Sequence, residues 1–461
     1  MKFHFIIQDK TFYRKVLTIA VPIALQSLIT IGVNMMDTIM LGSMGETQLS
    51  ASSLANQFVQ VFQIFCMGLG MGASVLIARF WGMRDRENLR KSITIMLRLT
   101  LALGTLFTLA TIFFPRSILR IYTPDQGIID AGRRYMRWIV ACYYFQGLAL
   151  TLTLVLRNVG LMRIPLYTSI GAFFVNIFFN WVFIFGKLGM PRMEIEGAAL
   201  GTLISRAFEF GIIGGYFFLK DTRIGYRVKH ITMRCRELVG DYIRVSIPVL
   251  VSDGLLALGN NAVSMIFGRL GENFVSAQAV TGVVQHCSTV VLTGVSQSAV
   301  ILTGNTLGEG DVKKAQEQGE AFLGLAMAFG LLAGVFIFAI QRPVVNFYGL
   351  SAETNQIAYA LMDAQAIIVF FQACNSMLTK GVLRGGGDTR FLMLADVLFL
   401  WVASLPLGYL AGLVWHLPPF WTYCFIRIDH VFKSIWCVFR LMSGKWIKKV
   451  SKAETLELEK G

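Results

Sequence analysis

Residues 22–46 read PIALQSLITIGVNMMDTIMLGSMGE, an apolar, helix-compatible run that carries one carboxylate, Asp37, before it ends at Glu46. The pattern returns 226 positions later, where residues 248–272 read PVLVSDGLLALGNNAVSMIFGRLGE. Pro22 falls on Pro248, Asn34 on Asn260, Gly42 on Gly268, Gly45 on Gly271 and Glu46 on Glu272, whereas Val263 stands where Asp37 stands. The register continues past the helix: Ser50 matches Ser276, Ala51 Ala277, Gly68 Gly294, Ala73 Ala299, Leu76 Leu302, Gly82 Gly308 and Asp85 Asp311. With an offset of 227 it resumes in LRNVGLMR (156–163) and LRGGGDTR (383–390). Repeated glycine and alanine mark repeated close helix contacts, because small residues let backbones approach in lipid. The chain reads as two copies of one unit, distinguished by the unmatched acid.

Of the 461 residues, 55% are hydrophobic and 15% charged, and the mean hydropathy is +0.61, far from soluble averages. A span needs about 20 mostly apolar residues. Twelve candidates are centred near residues 27, 62, 104, 145, 175, 208, 254, 288, 328, 368, 400 and 428. The expected fold class is an all-α polytopic membrane protein with twelve transmembrane helices in two parallel-repeat six-helix lobes. An offset spanning six helices keeps both copies in one orientation. The expected organisation is an amino-terminal lobe (1–218), a basic cytoplasmic linker (219–237), a carboxyl-terminal lobe (238–442) and a cytoplasmic tail (443–461).

The net charge of +15 lies between spans, not on a nucleic-acid-binding face, so no nucleic-acid partner is expected. The amino end, Arg79 to Lys91, Lys220 to Arg244, Lys313 with Lys314, and Arg440 to Lys452 are basic, which places both termini in the cytoplasm and the chain in the cell membrane. Arg116, Arg120, Arg133, Arg134 and Arg137 conflict with that topology, since they fall on the outer side. No small-residue cleavage site follows a short apolar core, so no removable signal peptide is expected. Seven scattered cysteines predict neither a disulfide framework nor a metal site.

An ionisable side chain within a span is costly and faces a cavity, a partner or an ion path. Counted from Lys15, Asp37 lies roughly 30 Å along its helix, in the outer half of the membrane; the alternative is an interfacial acid capping the next segment. Asn176 and Asn180 stand one turn apart on the fifth span, and Thr202 and Ser205 lie on the sixth. Their oxygens can serve a cation or a protonated carboxyl group, or simply join helices. Further candidates for a substrate cavity are Asn34, Asp253, Asn260, Gln285, Asp363 and Gln372. Arg427, Asp429, His430 and Lys433 read as mutually neutralising on neighbouring turns. His286 has no second ligand at metal spacing, the GGG at 385–387 lacks the strand and lysine of a phosphate loop, and no HExxH or GxSxG is present.

Taken in order, Pro22 with Asp37 and GSMG, the second proline helix ending in GRLG, the turns at Gly82 and Gly308, and LRGGGDTR resemble the multidrug and toxic compound extrusion (MATE) transporters along nearly the whole chain. The resemblance implies two six-helix lobes exporting organic cations against inward H⁺ or Na⁺, with no cofactor and a monomeric chain. It implies a coupling role for Asp37, supported by Asn176, Asn180 and Thr202. Where that family's amino-lobe site has an Asp on the fifth helix, this chain has Asn180, which favours H⁺ over Na⁺. Leu256 and Ala373 occupy the places of the family's carboxyl-lobe acids, leaving Asp253 and Asp363 as displaced candidates. The alternative function is a flippase for lipid-linked oligosaccharides, which would want several basic residues in its groove to hold a pyrophosphate.

Overall fold

The computed structural model describes residues 9–450, which contain helices and turns and no strand. Among the described residues, ten helices are long and apolar enough to cross a membrane, eleven when one bent pair is counted as a span. They are α1 (Lys10–Gly42), α2 (Glu46–Gly82), α3 (Arg86–Phe113), α4 (Gln126–Ile139 with Cys142–Asn158, bent by 57°), α5 (Arg163–Phe185), α6 (Ile195–Lys220), α7 (Arg236–Arg269), α8 (Glu272–Gly308), α9 (Val312–Phe347), α10 (Ala352–Gly385) and α11 (Thr389–Val414). The twelfth, α12, is broken at Arg427 into Pro419–Ile426 and Ile428–Met442. Each of the twelve expected centres lies in one of these helices.

The bend in α4 accounts for three of the five misplaced arginines; Arg116 and Arg120 lie in the short helix Pro115–Arg120 before it. Gln126–Ile139 is amphipathic: Ile129, Tyr135, Met136 and Ile139 are buried, while Arg133, Arg134 and Arg137 are exposed. Arginines on the polar face of such a helix do not obey the loop rule, because they need not cross the membrane.

The repeat is visible in backbone geometry. α1 and α7 begin at equivalent residues, and α2 and α8 begin and end at equivalent residues. Asp85 caps α3 by accepting from the Asn88 N–H at 3.0 Å, and its counterpart Asp311 caps α9 by accepting from the Lys314 N–H at 2.9 Å. Gly45 and Gly271 take φ of 120° and 111°, and Gly160 and Gly387 take 83° and 84°, conformations that favour glycine.

The described residues fall into two compact units. One contains 25–77 and 85–246; the other contains 78–84 and 247–450 together with α1 up to Ala24. In the second unit, Gly82 and Gly308 meet so closely that a Cβ on either would strike the other helix's main chain. Its core includes Phe12, edge-on to Phe322 at 5.2 Å. In the first unit, Gly72 packs on the main chain of Ser246, and Arg90 donates to Ile224 O at 3.0 and 2.8 Å, pinning the segment that precedes α7.

Candidate functional site

The first unit holds a polar cavity of about 590 Å³ lined from α1, α2, α4, α5 and α6. Its geometry begins with α6, where Gly197 and Gly201 form a GxxxG pair. A Cβ on Gly197 would meet the Phe183 main chain at 2.6 Å, and one on Gly201 would strike the Asn180 side chain. Glycine at both positions lets α5 press against α6 and buries Asn176 and Asn180. Asn180 Nδ2 then donates to Asp37 Oδ1 at 2.6 Å and to Asn176 Oδ1 at 3.2 Å, while its own Oδ1 is buried without a hydrogen-bond partner. Asn34, one turn before Asp37, and Thr202 also line the cavity.

Sequence reasoning missed several members of this site. Tyr135, on the bent helix, donates to Asn56 Oδ1 at 3.2 Å, and Arg206 Nη1 donates to Glu209 Oε2 at 2.8 Å within α6. Two carboxylates, Asp37 and Glu209, thus face one guanidinium. The bond from Asn180 contributes about 1.5–3 kcal/mol, whereas taking an ion out of water costs several. Asp37 is thus a half-buried carboxylate on a polar cavity wall, held by one hydrogen bond from Asn180. The signal for Arg206 and Glu209 was their spacing of three within an apolar helix.

The second unit holds a cavity of about 510 Å³ that brings together Asn260, Gln285 and Gln372, with His286 also on its wall. Gln285 Nε2 and Gln365 Nε2 donate to Gln372 Oε1 at 3.2 and 3.1 Å, and Tyr423 donates to Gln365 Oε1 at 2.7 Å. Asp253 is not on this wall: its Oδ1 accepts from Arg384 Nη2 at 3.1 Å. Asp363 is not on it either, and its Oδ1 is buried without a partner. The charged group on α12 departs from simple mutual neutralisation. Lys433 Nζ lies 3.1 Å from Asp429 Oδ2 and 3.2 Å from Asp396 Oδ1 on α11, whereas Arg427 donates to the neutral Asn260 Oδ1 at 3.3 Å. Asp396 had gone unnoticed, although an acid in the apolar run LADVLFL was as visible as Asp37.

Comparison with known proteins places these observations in a family. The MatE family model matches residues 22–182 and 248–410, so each matched segment begins on one of the two equivalent prolines. The chain is 25% identical over 441 residues to a probable multidrug resistance protein NorM of Thermotoga maritima, covering 95% of this chain and 93% of that one. It is 27% identical over 404 residues to the multidrug resistance protein NorM of Burkholderia vietnamiensis, covering 85% of each. In fold it is similar to a crystal structure of MATE in the bent conformation, with a TM-score of 0.85 at 19% identity over 94% of this chain and 96% of that chain. A repeated helical membrane chain agrees with that match, and the chain belongs to the MatE family of multidrug and toxic compound extrusion transporters.

Proposed function

We propose that this transporter is a proton-coupled antiporter that exports amphipathic organic cations by alternating access, and that Asp37 exchanges a proton for the substrate cation. The observation that carries the reading is the Asn180 Nδ2–Asp37 Oδ1 hydrogen bond at 2.6 Å. An N–H donor takes up a carboxylate oxygen that a sodium ion, which wants oxygen ligands, would need. Substituting an amide for a second acid leaves one carboxylate to titrate at that point. The excess acid in the cavity attracts cations, and its glutamine and aromatic wall suits flat, lipophilic ones. Each ligand biases one of two states, as exchange requires. In this reading the chain acts as a monomer in the cell membrane with both termini cytoplasmic. Its lobes are 1–218 and 238–442, joined by a linker at 219–237 and followed by the tail 443–461, part of which lies beyond the described residues.

The test is efflux of ethidium from proteoliposomes with pH and Na⁺ gradients imposed separately. Export driven by the pH gradient alone supports the reading; export driven by the Na⁺ gradient alone overturns it.

A further inference from the structure

Charges in the carboxyl-half cavity do not balance. Lys380, Arg427 and Lys433 line it against Asp396 and Asp429. Both carboxylates are already engaged: Lys433 Nζ sits between them, the Ser252 hydroxyl donates to Asp396, and the Ser404 hydroxyl lies 3.2 Å from Asp429 Oδ1. Among the described residues, neither Arg427 nor Lys380 has a carboxylate within ion-pair distance.

Arg427 occupies the break in α12, where φ of −111° and ψ of 14° interrupt the helix, and its guanidinium lies on the cavity wall. Nη1 donates to a neutral amide, and Nε is buried with no hydrogen-bond partner. Arg427 as a whole is only partly buried, and the paired N–H groups of a guanidinium match the two oxygens of a carboxylate. Lys380 lies in a π-helical turn of α10, Leu378–Val382, a distortion frequent at functional sites. Leu256, Leu292 and Leu400 supply an apolar wall for the hydrocarbon body of a ligand.

We propose that the carboxyl-half cavity binds organic carboxylates, with Arg427 taking the two oxygens and Lys380 adding a second positive charge. The site extends the export reading to anionic or zwitterionic compounds and rests on that reading only for the direction of transport. The test is calorimetric titration of the purified full-length protein in detergent, with no gradient, using naphthalene-2-carboxylate and naphthalene-2-carboxamide. The two share a ring system and differ in charge. Wild type binds the carboxylate about tenfold or more tighter than the carboxamide. Arg427→Gln removes this preference while leaving carboxamide affinity in place, and Lys380→Gln reduces it several-fold. Equal affinity for the two compounds in wild type, no binding of the carboxylate, or a parallel loss of both in the variants overturns the proposal. Ethidium efflux is measured separately on the same preparation; its failure counts against the export reading and leaves the titration result standing.

Discussion

In the amino half, Asp37 and Glu209 face the single guanidinium of Arg206, while in the carboxyl half Lys380, Arg427 and Lys433 face Asp396 and Asp429. One cavity carries an acid in excess and the other a base, although both are built from the same repeated unit. A second pair of equivalent positions shows the same divergence. Arg384 donates to the carboxylate of Asp253 at 3.1 Å; its counterpart Arg157 donates to the amide Gln26 Oε1 at 2.5 Å, because Ser27 stands where Asp253 would fall. The repeat preserves what shapes helices, namely prolines, glycines at positive φ and aspartate caps. Charge is what differs between the copies, and we propose that coupling chemistry follows it into the amino half.

The comparison can be broken or sharpened by substitution. The largest effect is expected at Asp37→Asn, which should abolish ethidium efflux driven by a pH gradient while leaving expression and thermal unfolding near wild type. The new amide keeps an oxygen for Asn180 to donate to. Efflux at the wild-type rate would break the assignment of coupling to the amino half.

In the carboxyl half, Lys433→Met should cost about 3–5 kcal/mol of stability, because it strands Asp396 and Asp429, both less than 5% exposed, without their shared cation. Thermal unfolding in detergent reads this out, and an unchanged midpoint would show that the triad is not a fixed ion network. Gly201→Ala should cost about 1–3 kcal/mol and impair efflux, since its Cβ would strike Asn180. Gly268→Ala, with nothing within 4 Å of the added carbon, is the control and should stay near neutral. The smallest loss is expected at Asp253→Asn, about 1 kcal/mol. Arg157 already shows that this arginine position works with an uncharged partner.

Much of this was legible in the sequence, for identifiable reasons. Ten of the spans, and an eleventh with the bent pair, follow from apolar length, and the repeat from residues that cannot be exchanged cheaply: Gly45, Gly160, Gly271 and Gly387 adopt φ values that favour glycine. Asn176 and Asn180 were readable as one face because their spacing is a helical turn, and the structure hydrogen-bonds that face to Asp37. What spacing cannot reveal is which partner a charge selects across helices. Lys433 pairs with Asp396 at a separation of 37 residues, Arg384 takes Asp253 from a distance of 131, and Arg427 has no acid within ion-pair distance among the described residues despite lying two residues from Asp429. The bend in α4 was also hidden, because its amphipathic half reads as a basic loop until Ile129, Tyr135, Met136 and Ile139 are seen to be buried together.

The most direct test of proton exchange at Asp37 is a pH-indicator measurement on purified protein in weakly buffered detergent, titrated with ethidium. Linkage requires that, if cation and proton compete for Asp37, binding one expels the other. Wild type should release protons as ethidium binds, and Asp37→Asn should bind it with no release. Equal release from both proteins, or ethidium binding by wild type with no proton released, would contradict the account.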